Sequence, residues 1–289
     1  MYKQHMNWLL ITFIIITLTI IALYQITKIK RTQLLKSHTI KFLSSQMNYE
    51  VKGNGDPVIL VHGSMISDPW NGFDKELSKT HTVYLAHLPG FGGSDVVSGR
   101  FHNTDLFSEA LCTFIKETKL QNAPVIALSL GTVVAAKSAE KECLQGKLIL
   151  IGAPIKVDSE ILKKASLIPI WLRRFIGSTE WGRSKILVPI LRDIIGNKDK
   201  GNDQELLREL EITDTKALVD LDVYREVNLQ MPEVLPKLKN EIVYIYGEKD
   251  KLLKSAKEFL KDMVIIEDAD HNIFKSQLSI TFEVIVKNL

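Results

Sequence analysis

Val125-Ile126-Ala127-Leu128-Ser129-Leu130-Gly131-Thr132 is the stretch that decides how this chain is read. Its first four residues are apolar without polar alternation, which suits a strand buried on both faces of a sheet. Thr132 to Glu142 then carries apolar residues at helical spacing, so a strand runs into a helix at Ser129. A sharp turn of that kind crowds the residues two before and two after the serine against its backbone, and Ala127 and Gly131 are small enough to allow it. A serine hydroxyl is a weak nucleophile at its free pKa and needs a base and an exposed position. The turn supplies the position, and the following helix aims its first amides where negative charge would develop. The string by itself also fits a serine that only caps a helix.

Working outward, Val58 to Val61, Thr82 to Leu85, Leu148 to Ile151 and Ile242 to Tyr246 are further short β-branched runs, alternating with helical patterns such as Asp105 to Lys119. The alternation predicts an α/β fold with a mostly parallel sheet and helices on both faces. From Ile155 to about Leu238 no comparable strand occurs, and the residues read as helices separated by Pro169, Gly177, Gly182, Pro189, Gly196 and Gly201. The expected organisation is a membrane anchor and basic linker over 1–39, a first core part over 40–154, an inserted helical cap over 155–238 and a second core part over 239–289. Lys156 to Arg192 holds eight basic and three acidic residues, Asp193 to Glu233 eleven acidic and five basic. The basic half is also rich in Trp, Phe, Leu and Ile; these are expected to face the substrate and the sheet, with an anionic membrane surface as the alternative.

Other strand ends complete a chemical set. His62-Gly63-Ser64 ends one strand, and a glycine there lets an amide, that of Ser64, face a pocket; with the amide of Leu130 it makes a two-donor oxyanion hole. Tyr246-Gly247-Glu248-Lys249-Asp250 puts acids at another strand's carboxyl end, where α/β sheets build their sites, and Asp250 is the orienting acid chosen. His271, in Asp268-Ala269-Asp270-His271-Asn272 after the run Val264 to Glu267, is the base. Asp268 and Asp270 compete with Asp250 through their nearness to His271 in sequence.

In the order Ser129, Asp250, His271 the chain resembles the α/β-hydrolase fold enzymes that carry a helical cap, over nearly all of residues 48–289. The resemblance includes His62-Gly63, Leu88-Pro89-Gly90-Phe91-Gly92-Gly93-Ser94-Asp95, the turn at Ser129, the acid after Gly247 and the late His271. It implies a Ser129–His271–Asp250 triad, hydrolysis of an ester, amide, lactone or related bond through an acyl-enzyme, and no metal or organic cofactor. Serine at the nucleophile position disfavours the epoxide-hydrolase and haloalkane-dehalogenase branches. The chain departs from the family's Gly-His-Ser-x-Gly-Gly turn at Ala127, Leu128 and Thr132, and His87 stands before Pro89 where an acid is usual. His87 reads as a structural or turn residue, His62 as a brace for the oxyanion loop and Trp70 as a core anchor. Arg100 and His102 are expected on the solvated surface.

Composition bounds the partners. Of 289 residues, 45% are hydrophobic and 25% charged, an ordinary folded composition, and a formal charge of +3 gives no footprint for nucleic acid. Cys112 and Cys143 cannot make a disulfide framework and lack metal-type spacing with His, so zinc and redox chemistry are not expected. Asn7 through Thr27 is free of charge and long enough to cross a hydrocarbon core of about 30 Å, with Trp8 and Tyr24 at the expected interfaces. It reads as an uncleaved anchor, because no small-x-small site follows it; a cleaved signal peptide is the rival. Lys28, Lys30, Arg31, Lys36 and Lys41 outnumber Lys3 and the α-amine, so the catalytic part is expected on the cytoplasmic side.

The predicted activity is thus a membrane-anchored serine hydrolase cutting a small or medium apolar, lipid-derived ester, with membrane lipid as partner of the N-terminal helix. The alternatives are a ligand-binding or scaffold protein that lost turnover, and an acyltransferase, aminopeptidase or carbon–carbon bond hydrolase using the same triad.

Overall fold

The structure is a computed structural model that describes residues 11–19, 21–22, 37–64, 66–157, 160–194 and 203–289. Eight strands, β1 His38–Phe42, β2 Ser45–Lys52, β3 Asp56–Val61, β4 His81–Ala86, β5 Val125–Leu128, β6 Leu148–Ile151, β7 Ile242–Gly247 and β8 Val264–Ile266, form one sheet in the order β1-β2-β4-β3-β5-β6-β7-β8. β2 runs antiparallel to β1 and β4, while β4, β3 and β5 through β8 are parallel. The helices are α1 Phe73–Leu77, α2 Thr104–Thr118, α3 Leu130–Glu140, α4 Glu160–Ser166, α5 Ile170–Gly177, α6 Val188–Ile194, α7 Asp203–Ile212, α8 Thr215–Val219, α9 Val223–Val234, α10 Leu253–Phe259, α11 Ile273–Ser276 and α12 Leu278–Lys287. Short turns of helix, Glu180–Gly182 and the π-helical Arg183–Leu187, join α5 to α6.

The central strands are apolar throughout because both of their faces are covered. Ile59, Val61, Val125, Ala127, Leu148 and Leu150 join one core with Phe107 and Phe114 of α2 and Val133 and Val134 of α3. Their neighbours Val58, Leu60, Ile126, Leu128, Ile149 and Ile151 join a second core with Phe73 of α1, Phe274 of α11 and Ile285 of α12. Side chains alternate across a strand, so a run buried on both sides has no polar position.

Between β6 and β7 the described residues hold helices and no sheet strand. The inward packing expected for the apolar residues of this stretch is only partly observed. Leu187, Val188, Leu206, Leu210, Leu218 and Val219 make a small core of their own, whereas Leu167, Trp171 and Trp181 are 72%, 67% and 62% exposed.

Two further features differ from expectation, and a third expectation falls mostly outside the described residues. The β1–β2 hairpin was not among the predicted strands. The cysteines lie in separate helical patterns, yet α2 and the turn after α3 come together and Cys112 and Cys143 form a disulfide, with Cα atoms 5.4 Å apart. In the expected membrane stretch, residues 11–19 and 21–22 are helical and their side chains exposed; the rest of it, with Trp8, Tyr24 and the basic residues Lys3, Lys28, Lys30, Arg31 and Lys36, lies outside the described residues. Among the described residues no helix is long and apolar enough to cross a membrane.

Candidate active site

Ser129 joins β5 to α3 with φ 52° and ψ −119°, a conformation that non-glycine residues avoid and that persists only where the surroundings enforce it. The enforcement is visible. The Ser129 amide donates to the Ile151 carbonyl at 2.8 Å, and both the amide and the hydroxyl of Thr132 donate to the Ser129 carbonyl, at 2.9 and 2.6 Å. The first turn of α3 presses against the end of β3, where a Cβ on Gly131 would come within 2.5 Å of the Val61 carbonyl oxygen and 2.6 Å of that of His62. The required smallness at position 131 is therefore a backbone contact rather than a loop preference.

The other half of the site lies at the same carboxyl edge. His271 Nδ1 meets Asp250 Oδ2 at 2.8 Å with both side chains buried. Asp250 Oδ1 accepts the Leu252 amide at 2.8 Å, which fixes the carboxylate plane. With Nδ1 donating to the carboxylate, Nε2 is left to act as acceptor; it is buried and makes no hydrogen bond to any described residue. Burial pulls the His271 pKa down, but the charge and hydrogen bond of Asp250, with the charge of Asp270, outweigh it, and the net shift is upward. Asp268 instead pairs with Lys249 at the surface, and Asp270 takes no part in holding the ring; burial raises its pKa. The structure thus joins His271 to Asp250 among the three candidate acids.

Gly152, which the sequence reading did not single out, connects the two halves. It follows Ile151, whose carbonyl holds the Ser129 amide, and its φ of +56° is one that L side chains rarely adopt. A Cβ there would stand 2.8 Å from His271 Cε1 and 3.1 Å from Asp250 Oδ2. The available signal was a glycine immediately after a buried strand, Ile151-Gly152-Ala153-Pro154. Ser129 and His271 are not hydrogen-bonded to each other in the structure.

The loop beside the serine is His62-Gly63-Ser64. A Cβ on Gly63 would lie 3.1 Å from Ser129 Cβ, so this loop passes directly over the serine. His62 accepts the Leu88 amide at Nε2, 3.1 Å, and therefore carries its proton on Nδ1, donated to the Gly63 carbonyl at 2.7 Å. Burial, with His87 beside it, pushes the His62 pKa down to about 3 against that last bond. A neutral imidazole thus braces the loop. Leu130 is the first residue of α3, so its amide belongs to those a helix leaves without an intrahelical acceptor. Ser64 also forms part of the wall of an apolar cavity lined by Leu162, Ile168, Ile176, Leu187 and Val219.

The remaining singled-out residues are structural in their contacts. Trp70 is buried and packs edge-on to Phe274. His87 is buried against Glu50, Nε2 to Oε1 at 3.1 Å, and this bond, acting against burial, holds the Glu50 carboxyl down at about 2. Arg100 is exposed and pairs with Glu109. His102 is a correction, since it is fully buried: its Nε2 accepts the Val97 amide and its own amide donates to Asp220. Asp220, at the end of α8, also receives Arg174 Nε at 2.7 Å and Nη2 at 2.9 Å. The cluster ties the helical stretch to the core, and nothing in the linear sequence marks it.

Comparison with known proteins agrees with this architecture. The chain is 23% identical over 218 residues, 73% of its length, to the pimeloyl-[acyl-carrier protein] methyl ester esterase of Shewanella woodyi, of which it covers 82%. Among solved structures it is similar to an α/β hydrolase fold protein from Burkholderia ambifaria, with TM-score 0.69 and 13% identity over 89% of this chain and all of that one. It is also similar to a thermophilic esterase from Thermogutta terrifontis, with TM-score 0.67 and 19% identity over 89% of this chain and 97% of that one. The family model described as the alpha/beta hydrolase family matches residues 58–277, and this chain belongs to that family.

Proposed function

We propose that the chain is a membrane-anchored serine hydrolase that cleaves a small or medium apolar ester, with Ser129 as nucleophile, His271 as general base and acid, Asp250 as the group that orients the imidazole, and the amides of Ser64 and Leu130 as oxyanion donors. The observation that carries the reading is the buried His271–Asp250 pair, with Nε2 unengaged, seated on Gly152 one residue beyond the carbonyl that holds the strained Ser129. The Shewanella woodyi relative is named an esterase, which favours ester over amide cleavage.

In the first step His271 Nε2 takes the Ser129 hydroxyl proton as Oγ bonds to the substrate carbonyl carbon, and the carbonyl electrons move to the oxygen held by the two amides. The tetrahedral species collapses to an acyl-serine when the imidazolium returns the proton to the departing alcohol. Water then repeats the sequence and frees the acid. The charge and hydrogen bond of Asp250 favour the imidazolium form, in keeping with the upward shift of His271. Residues 155–238 act as a cap whose cavity, apolar apart from a few groups, takes the acyl or alcohol chain.

A fluorophosphonate tests the nucleophile. It should modify Ser129 stoichiometrically and the Ser129→Ala variant not at all; a folded sample that resists it would instead be a non-hydrolytic binding protein on the same fold. For the side of the membrane, the basic residues after the apolar stretch favour the cytoplasm. A second reading, with the catalytic part outside the cytoplasm, is favoured by the Cys112–Cys143 disulfide, since oxidising compartments preserve such bonds. Thiol alkylation in intact cells separates these: cysteines alkylated without prior reduction mean the cytoplasmic side.

A further inference from the structure

α5 is apolar on two sides. Ile176, and Ile168 just before the helix, line the cavity, and Gly177 packs so closely that a Cβ on it would lie 2.7 Å from Val219 Cγ1. On the outer side Trp171 and Phe175, four residues apart and hence on one face, are exposed, with Leu167 immediately upstream. Phe101 joins this surface through Arg174, whose guanidinium carbon stands 5.4 Å from the ring centroid, and Trp181 follows on the next turn of helix. Single exposed apolar side chains are ordinary, but a cluster of Trp, Phe and Leu on a helix already apolar on its inner face calls for an apolar surrounding.

Charge and connectivity say which surrounding. Lys163, Lys164 and Lys185 are exposed, Lys163 lying 3.6 Å from Glu160, and over residues 160–185 six basic residues face only two acids, Glu160 and Glu180. Trp and Phe interleaved with Lys and Arg is the composition of a surface that lies on anionic lipid. The sheet register brings the entry of the chain to the same edge. Ala86 ends β4 at the carboxyl edge, it pairs with Tyr49 of β2, and Tyr49 pairs with His38, the first residue of β1. The chain thus comes into the fold level with the edge that carries Ser129 and the helical stretch. Residues 28–37, between the apolar segment and β1, reach at most about 35 Å when extended.

We infer that the outer face of α5, with Leu167, Trp171, Phe175 and the neighbouring Trp181, seats in the headgroup region of an anionic bilayer. The inference rests on the membrane-anchored reading for the closeness of the lipid. Seated in this way, the cap holds the cavity wall formed by the inner side of α5 against the lipid, and an apolar ester reaches the cavity without crossing water.

The test uses the full chain carrying Trp8→Phe, bound to phosphatidylcholine vesicles with or without phosphatidylglycerol and with lipids brominated near the carbonyl end of the acyl chain. Indole fluorescence should be quenched in the anionic vesicles, less without phosphatidylglycerol, and little once Trp171→Phe and Trp181→Phe are added, because Trp70 is buried. Leu167→Ser with Trp171→Ser should slow turnover of a vesicle-embedded ester about tenfold and leave a soluble short ester unchanged. Unquenched indoles, or vesicle turnover insensitive to the double serine variant, overturn the inference, as does a dimer that buries Trp171 against a second copy. Alkaline carbonate extraction reads the anchor separately. A chain that washes off yet is still quenched through Trp171 disproves the anchor and keeps the docking face; a chain that stays and is not quenched does the reverse.

Discussion

Gly152 governs whether an imidazole and a carboxylate can meet behind Ser129, and it does so by having no side chain. Gly152→Ala forces a residue with φ near +56° to carry a Cβ into the His271 ring and the Asp250 carboxylate. Displacing a catalytic group by about 1 Å costs on the order of 10²-fold in rate, and the backbone strain costs about 1–2 kcal/mol. Ester turnover should therefore fall by about that factor while thermal melting shows a folded protein; an unimpaired rate would remove the His271–Asp250 pair from the mechanism. The same pair predicts a pH profile. Because the His271 pKa lies above its ordinary value and the base must be neutral, activity should fall as pH drops through a midpoint above about 6.5. Asp250→Asn removes the largest raising influence, so the acid limb should move to lower pH while kcat drops by roughly 10³–10⁴-fold, read from rate against pH in both proteins. At this scale Ser129, Asp250 and His271 were legible as candidates because they stand directly after β5 and in the loops that follow β7 and β8. Gly152 was not, because its role is to leave room for a ring that is 119 residues further along the chain.

Elements were legible where both faces of a strand are buried. Val125 to Leu128 and Leu148 to Ile151 are apolar without a break, so hydropathy alone marks them. The β1–β2 hairpin escaped because it lies at the sheet's edge, and His38–Phe42 and Ser45–Lys52 mix polar with apolar residues, as a half-covered strand does. The pairing of Cys112 with Cys143 escaped for a different reason: it depends on α2 packing beside α3. Closing a loop of 31 residues, the bridge stabilises the fold by about 3–4 kcal/mol through the entropy of the unfolded chain. Cys112→Ser with Cys143→Ser should lower the urea midpoint accordingly with turnover at low temperature retained; an unchanged midpoint would mean that the bond adds nothing in solution.

For the whole molecule, Asp220 is one of the buried groups that join the helical stretch between β6 and β7 to the core. Asp220 is buried where it meets Arg174 and the His102 amide. Burial pushes its pKa up, but hydrogen bonds from His102 and Arg174 prevail and hold it down at about 2. Its stabilisation is therefore present above the unfolded carboxylate value near ~3.9 and is lost as pH falls toward the folded value. Asp220→Ala, which leaves a buried amide and a partly buried guanidinium unpaired, should cost about 3 kcal/mol in urea unfolding and speed hydrogen exchange in α5 and α8. A loss below ~0.5 kcal/mol would mean that the helical stretch is held by its other contacts. By itself the sequence determined the class of fold and the order along the chain of the six parallel strands β3 to β8, and it offered Ser129, Asp250 and His271 as candidates, because burial on two faces and turns at strand ends leave local patterns of residue type. Only the tertiary structure decided which acid holds His271, which glycine makes room for it, that His102 is buried and which apolar residues between β6 and β7 are exposed. Those are properties of surfaces brought together from distant parts of the chain, and no local spacing encodes which surfaces meet.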